Sequence, residues 1–142
     1  MIAFRCENVP MPRISGALVK EWVRKVAGSY GRTEHGIGYV FCDDERILEV
    51  NRQFLGHDYY TDIITFDYSV GNRISGEMYI SLDTVRSNAE KFRTGYENEL
   101  NRVMIHGVLH LCGINDKGPG ERAVMEAAEN RALDLLDNMI GL

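Results

Sequence analysis

Cysteine is scarce here: Cys6, Cys42 and Cys112 are an odd number, with no short paired spacing between them. That excludes a disulfide framework and a CxxC zinc ribbon, and leaves reduced interior thiols as the expectation. No stretch approaches the roughly 18 consecutive apolar residues of a membrane span. The start, "MIAFRCENVPMPR", lacks the charged-then-apolar layout of a signal peptide. A cytoplasmic protein with no membrane partner is expected. Basic residues are outnumbered by acidic ones, 16 to 21, for a net charge of −5. Binding of nucleic acid by the whole surface is therefore disfavoured, because it draws on clustered Lys and Arg. A polyanion would need a local cationic focus, which a bound divalent metal supplies.

What is present suffices for one domain over residues 1–142: the chain is 44% hydrophobic and of single-domain size. No repeat, linker or low-complexity tract is visible. "IAFRCE", "GIGYVFC", "YYTDIITFDYS" and "GEMYIS" read as strands, with the turn-like "VGNRIS" between the last two. "ISGALVKEWVRKVAGSYG" repeats Ile14, Leu18, Trp22 and Val26 every four residues, the spacing of an amphipathic helix. "DDERILEVNRQFLG" predicts a second, capped by Asp43 or Asp44, with Ile47, Val50 and Phe54 on one face. Three helices follow: "SLDTVRSNAEKFR" from a Ser cap, then "TGYENELNRVMIHGVLHLCG" from a capping box of Thr94 and Glu97, and last "GPGERAVMEAAENRALDLLDNMIGL". The last has Pro119 near its first turn and Val124, Ala128, Ala132, Leu136 and Ile140 on roughly one face. Four strands and about five helices make an α/β-type domain.

The chemistry gathers at "HGVLHLCGIND". His106 and His110 are one helical turn apart, so their side chains lie one above the other and can converge on one ion. Gly113 permits a left-handed turn, and the short polar "IND" can swing Asp116 towards the same ion. Two histidines and a carboxylate with an open position are a catalytic zinc pattern, in which water becomes hydroxide near neutral pH. The competing reading is a HisxxxHis pair placed by chance on an amphipathic helix. Gly107 inside the helix points to close approach by another element. It also occupies the position where HExxH peptidases carry their general base, so hydrolysis of another bond is favoured. Cys112 is read as packing, and His35 and His57 as surface or turn histidines, His57 within reach of a cleft.

"HGVLHLCGIND" resembles the HGxLHLxGxDH signature of the YbeY family, bacterial rRNA maturation factors regarded as single-strand-specific, metal-dependent endoribonucleases. "NRQFLGHDYYTDIITFDY" (51–68) and "GEMYIS" (76–81) are similar to two further blocks of that family, so the likeness is nearly full-length. It implies an α+β domain with a mixed four-stranded sheet flanked by helices, and one zinc ion per chain. It also implies small-subunit rRNA or the ribosome as partner, with ribosomal proteins as further partners, in rRNA maturation and ribosome quality control. The family's first two zinc ligands correspond to His106 and His110. Its third, a histidine, is Asp116 here, still an acceptable zinc ligand but a harder one that shifts selectivity towards other divalent ions.

Two further departures matter. The family arginine is replaced by Leu55, so a bidentate phosphate grip is missing. Arg52 or Lys117 are its candidate replacements, unless both are ordinary solvated charges. Tyr60 stands in place of a proline and is either a base-stacking ring or an ordinary strand residue. Thr61 and Asp62 match the family's Thr-Asp pair. A turn-ordering role is favoured for both, with Asp62 the best non-ligand acid, and Glu77 replaces an aspartate of the family. The rival functions are a non-catalytic assembly or RNA-binding factor with a structural zinc, and a zinc hydrolase of peptides or other small substrates.

Overall fold

A computed structural model describes residues 1–57 and 61–141. The strands are β1 (Ile2–Cys6), β2 (Thr33–Cys42), β3 (Ile63–Asp67) and β4 (Arg73–Ser81). The helices are α1 (Gly16–Ser29), α2 (Asp44–Val50), α3 (Leu82–Lys91), α4 (Tyr96–Leu111) and α5 (Glu121–Met139). The strands form one mixed sheet in the order β1-β2-β4-β3, with β1, β2 and β4 parallel and β3 antiparallel at the edge. The expected four strands and five helices are therefore present.

Alternation along the two central strands sends side chains into two apolar layers. Ile37, Tyr39 and Phe41 of β2 and Met78 and Ile80 of β4 join the main core with α1, α4 and α5. Val40, Cys42 and Tyr79 face the other way, against Ile47 and Val50 of α2. Two buried polar groups tie helices in place. Trp22 Nε1 donates to the Ala132 carbonyl at 2.8 Å, and Tyr39 OH donates to the Met104 carbonyl at 3.0 Å, which fixes α4 on the sheet.

Several boundaries differ from the expectations, each for a local reason. Thr94 does not cap α4; Gly95 does, without a side-chain bond. The Thr94 amide instead donates to the Ala89 carbonyl at 2.9 Å and closes α3. Asp43 caps α2 and Ser81 caps α3 as expected. Beyond α2 the chain widens into a π turn at Asn51–Leu55, which rotates Phe54 off the Ile47 face and leaves it 57% exposed. In α5 the buried stripe is Met125, Ala128, Glu129, Ala132, Leu133 and Leu136, while Val124 and Ile140 are exposed. Strict four-residue steps drift by about 40° each around a helix of 3.6 residues per turn, so the ends of that series leave the core. Pro119 lies just ahead of the helix, whose cap is Gly120. β2 begins earlier than expected, with a bulge between Glu34 and Ile37, and β4 reaches back to Arg73 because the connecting turn is tighter. No described helix is long and apolar enough to cross a membrane.

Candidate metal centre and cleft

Helix α4 is buried along most of its length, yet Glu99, Arg102, His106 and His110 fall at spacings of three and four and line one open cleft of about 830 Å³. Its other walls are residues 61–65 at the entry to β3, the end of α3 with Phe92, the start of α5, and Leu55 from the π turn. Gly107 explains how the helix sits so low on the sheet. A Cβ there would collide with Met78 Sδ and come within 3.1 Å of Ile63 Cδ1, so only glycine lets α4 settle at this depth.

The helix then ends as the glycine predicts. Gly113 takes φ +96, its amide donates to the His110 carbonyl at 3.0 Å, and the Ile114 amide donates to Leu109 at 3.1 Å. The chain doubles back, and Asp116 Oδ2 arrives 3.2 Å from His106 Nε2. His106 Nδ1 lies 2.7 Å from Glu129 Oε2, and His110 Nδ1 lies 3.0 Å from the Ile114 carbonyl. A carbonyl oxygen can only accept, so Nδ1 of His110 carries a proton, and in the neutral tautomer this selects, the lone pair is on Nε2. Glu129 imposes the same tautomer on neutral His106.

Glu129 is itself fixed: its Oε1 accepts from Arg102 Nη1 at 2.8 Å, and Arg102 Nη2 donates to Asn130 Oδ1 at 2.8 Å. Burial pushes the Glu129 carboxyl upward, but the bonds from His106 and Arg102 outweigh it and hold its pKa below the ordinary value. Burial likewise pulls the His106 imidazole down. Its bond to Glu129 and the charges of Glu129, Asp116 and Asp62 prevail and raise its pKa. Asp62 and Glu99 show the opposite balance. Desolvation dominates, so both carboxyls are raised, Asp62 against the pull of His106 and Glu99 with help from the neighbouring Asp62 charge.

The donor set suits a divalent ion. Two imidazoles have their far nitrogens tied to acceptors, and a carboxylate stands beside one of them, which is how a polypeptide prepares neutral nitrogen ligands. As they stand, however, no three His, Cys, Asp or Glu side chains among the described residues are grouped closely enough to hold an ion.

Of the remaining expected residues, Lys117, Asp62, Thr61 and His57 line the cleft. Thr61 Oγ1 donates to the Ile63 carbonyl at 3.4 Å, and the Asp62 carboxylate accepts backbone amides, so both order this turn as well as face the cleft. Leu55 is on the cleft wall, 45% exposed, where the family motif has its arginine. Arg52 is exposed on the π turn and is not part of the cleft lining. Glu77 pairs with Arg5 at 3.2 Å, outside the cleft lining. Cys112 is buried in the main core and His35 is exposed. Tyr59 and Tyr60 lie outside the described residues. Sequence reasoning missed Glu129, Arg102 and Glu99. Their signal was a carboxylate inside the apolar stripe of α5, four residues from both Met125 and Leu133, and charged residues in register with the two histidines on α4.

Known proteins are similar to this chain along nearly its full length. A family model described as endoribonuclease YbeY matches residues 3–137. A Phocaeicola vulgatus protein named endoribonuclease YbeY is 62% identical over 136 residues, covering 96% of this chain and 99% of the relative. A Porphyromonas gingivalis protein of the same name is 51% identical over 140 residues, covering 99% and 93%. The solution structure of TM1509 from Thermotoga maritima superposes with a TM-score of 0.65 at 27% identity, covering 98% of this chain and 91% of that one. With a family model and relatives of this identity both spanning the sheet, the α4 histidines and the Glu129 helix, the chain belongs to the YbeY family.

Proposed function

We propose that this protein is a metal-dependent endoribonuclease that cuts single-stranded RNA in ribosomal RNA maturation and ribosome quality control in the cytoplasm. In this reading His106, His110 and Asp116 hold one zinc ion. One observation supports it: both imidazoles of α4 have Nδ1 committed to an acceptor, Glu129 or the Ile114 carbonyl, which leaves Nε2 as the nitrogen to bind an ion, and Asp116 Oδ2 stands 3.2 Å from Nε2 of His106. When bound, such an ion supplies positive charge for a phosphate oxygen and lowers the pKa of water towards neutrality.

The protein's own groups do the rest. Glu129, clamped by Arg102, keeps the His106 ring and its tautomer fixed. Asp62, whose carboxyl holds its proton to higher pH than an ordinary aspartate, is the group to exchange a proton with the reacting oxygens. Lys117 and Arg122, exposed on the cleft lining, give phosphates their cationic contacts in place of the arginine replaced by Leu55. Tyr60 adds a stacking ring in this reading.

Elemental analysis of untagged wild type, His110→Ala and Asp116→Ala tests the ligand set, beside cleavage of labelled single-stranded and duplex RNA. About one zinc per chain, lost in both variants together with single-strand cleavage, is the expected result. Cleavage that survives chelation with the fold intact would overturn the metal's catalytic role. Unfolding on chelation, with no cleavage by the loaded protein, would point to a structural ion.

A further inference from the structure

A second feature of the same cleft is the turn that closes α3. Asn88, Phe92 and Thr94 line the cleft. The Phe92 ring is 56% exposed, and Lys91 Nζ stands 5.4 Å from its centroid. The turn is a full helix-terminating motif, in which the Arg93 amide donates to Glu90 at 3.2 Å and the Thr94 amide to Ala89 at 2.9 Å. At the left-handed position of that motif, where glycine or asparagine is the comfortable residue, stands Arg93 with φ +55. An exposed aromatic ring with one cation over it and a second next to it in the chain, the latter in a left-handed backbone conformation, is not what stability alone selects. Base-stacking rings flanked by phosphate-pairing cations are how single-stranded nucleic acid is held without reading its sequence.

We propose that Lys91, Phe92 and Arg93 form a nucleotide subsite of the cleft: Phe92 stacks on a base of the RNA strand flanking the cleavage point, and the two cations pair with adjoining phosphates. This rests on the endoribonuclease reading and adds to it the path of the strand, from the α4 histidines towards the α3–α4 turn. RNA is the occupant because the endoribonuclease reading brings a strand to this cleft, and an exposed ring with cationic chain neighbours fits its bases and phosphates. The molecule is acidic as a whole; Lys117 and Arg122 are on the cleft lining, and Lys91 and Arg93 are the chain neighbours of its Phe92.

The test is fluorescence anisotropy of the protein as purified with a labelled 2′-O-methyl oligoadenylate, which cannot be cut through its own 2′-oxygen. Phe92→Leu keeps apolar bulk but removes the π face, and is expected to weaken binding by on the order of tenfold, with Phe92→Tyr restoring it. Lys91→Gln and Arg93→Gly should each flatten the slope of log affinity against log salt by about 0.7. Arg93→Gly should do so without lowering thermal stability, because glycine suits that position. In steady-state cleavage of an unmodified strand, Phe92→Leu should raise KM and leave kcat nearly unchanged. Wild-type affinity in Phe92→Leu, with the wild type still binding and cutting RNA, overturns the subsite alone. A wild type that neither binds nor cuts single-stranded RNA overturns the endoribonuclease reading with it. Binding lost equally in Phe92→Leu and Phe92→Tyr would also defeat the stacking role.

Discussion

His106 on α4 and Glu129 on α5 face each other with Nδ1 and Oε2 2.7 Å apart, and the other oxygen of the same carboxylate is held by Arg102. The imidazole is thus fixed by a residue 23 positions away in the chain. Glu129→Gln keeps the size of the side chain but removes the charge that aligns the ring. Zinc affinity is expected to fall by about 10- to 100-fold while the fold is retained. Competition with a chromophoric chelator measures this, and an unchanged zinc Kd would show that Glu129 serves packing only.

Asp116 reaches the site because Gly113 lets the chain reverse after α4. Asp116→Ala should cost at least about tenfold in zinc affinity, since one donor of three is lost. Asp116→His restores the ligand type of the family signature and should recover binding, with a stronger preference for zinc over manganese. Calorimetric titration with both ions decides the matter. Equal affinity in Asp116→Ala and wild type would remove this residue from the site.

Gly107→Ala presses a methyl group into Met78 and Ile63. Overpacking of this kind typically costs 1–3 kcal/mol, and alanine returns up to ~1 kcal/mol of helix propensity. A net loss of about 1–2 kcal/mol is expected from urea unfolding. Smaller side chains at position 78 should relieve it, so Met78→Ala on the Gly107→Ala background should be less damaging than the two losses added together. Additive losses would mean that the clash is not with Met78.

On the other face of the sheet, Arg46 Nε donates to Glu7 Oε1 at 2.8 Å and lies over the Tyr79 ring. The bond to Arg46 holds the Glu7 carboxyl below its ordinary value of 4.5, against the upward push of burial. A carboxyl depressed in the folded state stabilises above its unfolded pKa, and that contribution disappears as pH falls through the folded value. Glu7→Gln should therefore lose roughly 0.5–1 kcal/mol at pH ~7, the scale of a partly exposed pair, and match wild type at pH ~2. Urea midpoints at the two pH values check the sign, and a deficit that grows on acidification would contradict it.

The sequence by itself determined the order and number of elements, because alternation and helical spacing dictate which faces must be buried. It also determined where α4 stops, since Gly113 accepts a backbone conformation that other residues resist. The pair His106 and His110 was legible for the same reason, being a relation within one helix. Tertiary structure alone decided what surrounds them. Glu129 comes from another helix, and Asp62 from the segment leading into the edge strand. Arg102 acquires its role only because α5 packs beside α4 and brings Glu129 to it. Cap choice was decided in the same way: Thr94 has the spacing to open α4, but its amide is already used to close α3. Local patterns specify conformations that neighbouring residues can enforce, whereas the partners of a buried charge are set by which distant surfaces fold together to remove it from water.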